Sequence, residues 1–90
     1  MRSLAIDIET YSSVDLSKSG VYRYVQAPDF SILIFAYSFD DEPVQVIDLA
    51  QGEDLPEAVK QALVDRAVLK TAHNANFERT CIQQHFNTIL

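Results

Sequence analysis

Apolar and polar side chains alternate with a period of two at the start of the chain. Leu4, Ile6 and Ile8 fall on one side, and Ala5, Asp7 and Glu9 on the other, which predicts a half-buried strand. Thr10 to Ser19 is polar and predicts a loop with one helical turn near Leu16, closed by Gly20. The aromatic and β-branched run Val21–Val25 predicts a short strand or an irregular stretch, ended by a turn at Pro28-Asp29. Ser31 to Phe39 is rich in β-branched and aromatic residues and predicts a second strand. After a turn at Asp40-Asp41-Glu42-Pro43, Val44 to Leu49 alternates again and pairs back as a hairpin. Beyond the loop Gly52-Glu53-Asp54 the period changes. Apolar residues at 55, 58, 59, 62 and 63 predict an amphipathic helix over Leu55–Asp65, with Asp54 as N-cap and Pro56 in the first turn. Val68 to Ala72 predicts a short strand. Asn74 then caps a second helix whose buried side carries Phe77, Cys81, Ile82, Phe86 and Ile89.

The order of elements predicts an α/β chain with a mixed sheet: three antiparallel strands, then a helix, a parallel strand and a helix. The helix between strands implies a right-handed crossover. Ninety residues make one small domain, 1–90, with no repeat, low-complexity stretch or linker. An apolar fraction of 48% suits a soluble globular chain. The net charge of −6 argues against a basic face as the main grip on nucleic acid. It leaves room for an acidic site that metal must neutralise before a phosphate can enter. A single cysteine, Cys81, excludes an internal disulfide and fits a reducing compartment. The longest apolar run, Ile32 to Tyr37, is too short to span a bilayer. The expectation is a cytoplasmic protein with no membrane partner.

Asp7 and Glu9 leave the same face of the predicted strand, roughly 7 Å apart at the backbone. Two carboxylates so close repel each other unless a cation sits between them. Mg²⁺ commonly takes one or two carboxylates together with a substrate phosphate. No His or Cys adjoins the pair, which disfavours zinc. Taken alone, the pair also suits a solvated strand end. A second signal is Ala72-His73-Asn74-Ala75-Asn76-Phe77-Glu78, where a strand gives way to a helix with an acid in its first turns. If that strand runs parallel to the first, both end at one sheet edge, where ligands of such sheets bind. Taken alone, Glu78 equally suits an acid that complements a helix dipole.

Together the two signals carry a resemblance. Asp7-Ile8-Glu9-Thr10 resembles the first motif of the DEDD superfamily of 3′–5′ exonucleases, and Asn74-Ala75-Asn76-Phe77-Glu78 resembles the second. The wider text, including Gly20-Val21-Tyr22-Arg23-Tyr24, is similar to the proofreading region at the start of phage-type family A DNA polymerases. The resemblance implies a ribonuclease H-like fold and two-metal phosphodiester hydrolysis during DNA replication. It makes Mg²⁺ or Mn²⁺, two ions in a complete site, the cofactor. Asp7 would bridge both ions, Glu9 would bind the first, and Glu78 would serve the second, in part through water. Thr10 would use its backbone near the terminal nucleotide, Asn74 and Phe77 would help shape that pocket, and Tyr11, close to the acid pair, is placed to stack on a base. The implied partners are the 3′ end of single-stranded DNA and the remainder of the polymerase chain.

Two departures stand out. The family usually has Asp where this chain has Glu78, and a third motif, a Tyr or His followed by Asp, is absent, since no acid follows Glu78. The sequence therefore reads as the truncated front part of an exonuclease domain. It is expected to bind Mg²⁺ or Mn²⁺ weakly and to hydrolyse little by itself, because members of one catalytic unit fail together. An exposed sheet edge would also favour a homo-oligomer of the isolated chain. Among other residues, His73 suits packing beside the site, His85 the helix surface and Cys81 the core. Tyr22 and Tyr24 suit either base stacking or local packing, and Asp40-Asp41-Glu42 suits a solvated turn. Two rival readings are a non-catalytic acidic interaction module and the same fold acting on short RNA.

Overall fold

The computed structural model describes residues 2–72 and 74–86. In chain order these form strand β1 (Ser3–Tyr11), helices α1 (Leu16–Ser19) and α2 (Val21–Gln26), strands β2 (Ser31–Phe39) and β3 (Gln45–Asp48), and a 3₁₀ turn at Leu49–Gln51. Helix α3 (Glu57–Val64), strand β4 (Leu69–Thr71) and helix α4 (Ala75–Phe86) follow. The four strands make one mixed sheet in the order β3-β2-β1-β4. β1 and β2 are antiparallel, as are β2 and β3, whereas β1 and β4 run parallel with Ser3 opposite Leu69 and Ala5 opposite Thr71. This is the mixed α/β arrangement that the hydrophobic periods predict.

Alternation along β1 sends Leu4, Ile6 and Ile8 into the core and leaves Ala5, Asp7 and Glu9 exposed on the other face. The core face meets Val59, Ala62 and Leu63 of α3, and Cys81 and Ile82 of α4, in one continuous cluster. β2 cannot follow strict alternation, because its two buried residues, Ile32 and Phe35, are three apart. A bulge resolves this. Glu9 faces Ile34 but Thr10 faces Ile32, so Leu33 is an extra residue that returns Ile32 to the core face.

The stretch Val21–Val25, which composition predicts to be a strand or irregular, is helix α2. Gly20, at φ +82, turns the chain into it, and the Tyr24 N–H donates to the Gly20 carbonyl. Val21, Tyr24 and Val25 are three and four residues apart, so a helix puts them on one stripe, and all three pack in or against the core. That burial outweighs the strand preference of β-branched and aromatic residues. Helix α3 is shorter than predicted, and Pro56, not Asp54, occupies its cap position. Asp54 instead accepts from the Leu55 N–H and pairs with Lys60 at 2.9 Å, which holds its carboxyl below the usual range. β4 is the edge strand among the described residues, and beside it lies a cleft lined by Ile6, Leu63, Ile82, Arg66, Lys70 and Arg79. No helix among the described residues is long and apolar enough to cross a membrane.

His85, predicted for the helix surface, is half-buried. Its Nδ1 accepts the Ile32 N–H at 3.0 Å, so the ring ties the end of α4 to the strand that carries the bulge. Burial lowers its pKa, and only the neutral ring can accept this bond. Below the unfolded value of about 6.5 the unfolded chain therefore binds more protons than the folded one. Stability from this group is full above that pH and is lost as pH falls toward the lowered folded value. Urea unfolding at pH 7.5 and 5.5 is expected to show a smaller drop in His85→Gln than in the wild type. An equal drop would remove His85 as the cause.

Candidate functional site

β1 is the inner strand that carries the acid pair. Asp7 stands opposite Ala36 and Glu9 opposite Ile34, both of β2, so no cation neighbours either acid across the ladder. Both carboxylates are exposed, and neither has a hydrogen bond or ion pair among the described residues. β4 ends its pairing with Thr71 opposite Ala5. β1 continues past that point by two residues to Asp7 and four to Glu9, about 7 and 13 Å at strand rise. The pair thus lies toward the sheet edge from which α4 starts. Two like charges this close, facing water with no partner among the described residues, form an all-oxygen donor set suited to a hard divalent cation.

Glu78 lies in the first turns of α4 on the same stripe as Cys81 and Ile82, and it is 7% exposed. Its N–H donates to the Asn74 carbonyl, and its side chain lines the cleft beside β4 with Ile6, Ala72 and Arg79. Burial, and secondly the Glu78 charge, push the Cys81 thiol up to about 12. Cys81 is therefore an inert core residue. The structure brings Asp7 and Glu9 together and holds Glu78 in the helical layer on the other side of the sheet. Among the described residues no three of His, Cys, Asp and Glu gather closely enough to hold a metal ion. His73, and Ile89 of the predicted buried helix side, lie outside the described residues.

The four residues implied in nucleotide binding surround the start of α4 and the end of β1. Asn74 is exposed, and its Oδ1 accepts the Phe77 N–H at 3.4 Å, the capping bond expected of it. Tyr11 is 52% exposed, so its ring is free to meet a ligand. Thr10 and Phe77 are half-buried, and both touch Tyr24. The Thr10 and Tyr24 hydroxyls are 2.9 Å apart, and the Tyr24 and Phe77 rings are 6.1 Å apart. Tyr24 is a contact that the pattern of acids did not reveal; the spacing of Val21, Tyr24 and Val25 was the available signal.

No family model matches the chain, and no solved structure matches it. All 90 residues, however, align at 66% identity with a DNA polymerase of Bacillus phage SP02. The chain is similar to a phage DNA polymerase. It spans 14% of that protein, so the match supports a DNA polymerase origin and covers a small part of the phage polymerase.

Proposed function

We propose that this chain is the front part of a ribonuclease H-like 3′–5′ exonuclease domain within a DNA polymerase, serving to remove nucleotides from a 3′ end. The observation that carries this reading is the Asp7–Glu9 pair: exposed, without a partner among the described residues, and near the carboxyl end of a strand parallel to β4. Similarity to a phage DNA polymerase along the whole chain supports it. Divalent cations, when bound, would supply charge stabilisation for phosphodiester hydrolysis. Asp7 and Glu9 would hold them. Glu78, set back in α4, would act at longer range, and the remaining donor would come from elsewhere in the polymerase. Thr10 and Tyr11 at the end of β1, with Asn74 and Phe77 at the start of α4, would receive the terminal nucleotide. Tyr11 offers an exposed ring on which a base can stack.

The acid pair can be tested on the 90-residue chain. At about 10 mM Mn²⁺ its melting temperature is expected to rise by about 2–5 °C, and Asp7→Asn is expected to lose most of that rise. Circular dichroism would verify that the variant is folded. No rise in the wild type, or an equal rise in Asp7→Asn, would remove the cation from the reading.

A further inference from the structure

Tyr24 grips the chain beside one acid of each motif, Glu9 and Glu78. Thr10, which follows Glu9, shares a hydroxyl–hydroxyl hydrogen bond of 2.9 Å with it. Phe77, which precedes Glu78, meets its ring at 6.1 Å. The Tyr24 carbonyl also accepts the Ser12 Oγ–H at 2.7 Å, and Phe30 closes the ring's other side edge-on at 5.8 Å. Asp29, just beyond α2, accepts from both the N–H and the hydroxyl of Ser13 at 3.1 Å. The exit from β1 is thus held by α2 and the turn after it, and α2 in turn packs on α4. Thr10 also sits where the register slips past Leu33, so the ladder with β2 is irregular there. A bulge loosens pairing locally, and a side-chain bond at that point restores a fixed geometry.

We propose that Tyr24 is a positioning residue: its hydroxyl and ring fix the end of β1 against the start of α4, and so fix the backbone on which Asp7 and Glu9 stand. This rests on the exonuclease reading and adds to it a residue outside both acid motifs. A hydrogen bond of this kind supports a change of about 3- to 10-fold in rate if it serves the reacting geometry alone.

The test uses the full-length polymerase carrying this chain, with single-stranded DNA labelled at its 3′ end and a separate assay of nucleotide incorporation. Tyr24→Phe keeps the ring and removes the hydroxyl. The turnover rate of the hydrolytic reaction is expected to fall about 3- to 10-fold in this variant, with KM, incorporation and melting temperature close to wild type. Thr10→Val is expected to match it, and the double variant to fall no further than either single one. Additive losses, or a parallel fall of melting temperature and both activities, would reduce Tyr24 to packing and overturn the proposal. Wild-type turnover in Tyr24→Phe, with hydrolysis abolished in Asp7→Asn, would overturn it while leaving the exonuclease reading intact. Undiminished hydrolysis in Asp7→Asn would take down both.

Discussion

Asp7→Asn in the full-length polymerase is expected to lower 3′–5′ hydrolysis by about a thousandfold or more and leave nucleotide incorporation near wild type. The size of the effect follows from the role. A carboxylate that would hold a cation at the phosphodiester acts, through that cation, on the charge that develops during reaction, and the loss of one such ligand is not made up by its neighbours. The substitution is also clean. Asp7 is exposed and has no hydrogen bond or ion pair among the described residues, so the fold loses nothing with it. Repulsion of Glu9 is relieved, so the melting temperature should stay level or rise slightly. Glu78→Gln is expected to cost less, because that carboxylate lies in the helical layer behind the sheet. Kinetics on 3′-labelled single-stranded DNA would decide the matter. Hydrolysis within about tenfold of wild type in Asp7→Asn would remove the acid pair from the chemistry.

The largest effect on stability is expected at Phe35. This side chain is fully buried, and its ring contacts Tyr37 at 6.3 Å and Phe86 at 6.4 Å, joining β2 to α4. Phe35→Ala should cost about 3–5 kcal/mol through lost burial and the cavity left behind. A domain of this size has a thin core and total stability near the low end of about 5–15 kcal/mol, so much of the variant would be unfolded at room temperature. Val46→Ala, on an exposed position of the edge strand β3, should stay within about 0.5 kcal/mol of wild type. Urea titration followed by circular dichroism compares the two. A cost below about 1 kcal/mol for Phe35→Ala would mean that the core packs differently from the arrangement described.

Much of this was legible in the order of residues because burial and period coincide. Leu4, Ile6 and Ile8 alternate on a strand with one wet face, and Val59, Ala62 and Leu63 repeat at helical spacing, so each element announced itself. The cap at Asn74 was legible for the same reason, since its side chain acts on a residue three positions away. What escaped was set by distant contacts. Helix α2 has strand-like residues and is helical because Tyr24 and Val25 find partners in other elements. His85 looked like a surface residue because its partner, the Ile32 N–H, is 53 positions away. That Asp7 and Glu9 share one exposed face could be read from the alternation of β1 alone. The position of Glu78 could not, because the motif fixes its place at the start of α4 but not which side of the sheet that helix covers.

The turn after β2 bears on how readily the acids could accept an ion. Asp40 adopts φ +52, a conformation that Asp tolerates better than most residues, and its carboxylate accepts the N–H groups of Arg2 and Ser3 at 3.0 and 2.9 Å. The Asp40 N–H donates in return to the Ser3 carbonyl at 2.9 Å. With Tyr24 at the far end, the central strand behaves like a beam clamped at both supports, and Asp7 and Glu9 stand on its span. An incoming cation would then meet groups whose backbone is already fixed, so little ordering entropy would be charged against its capture.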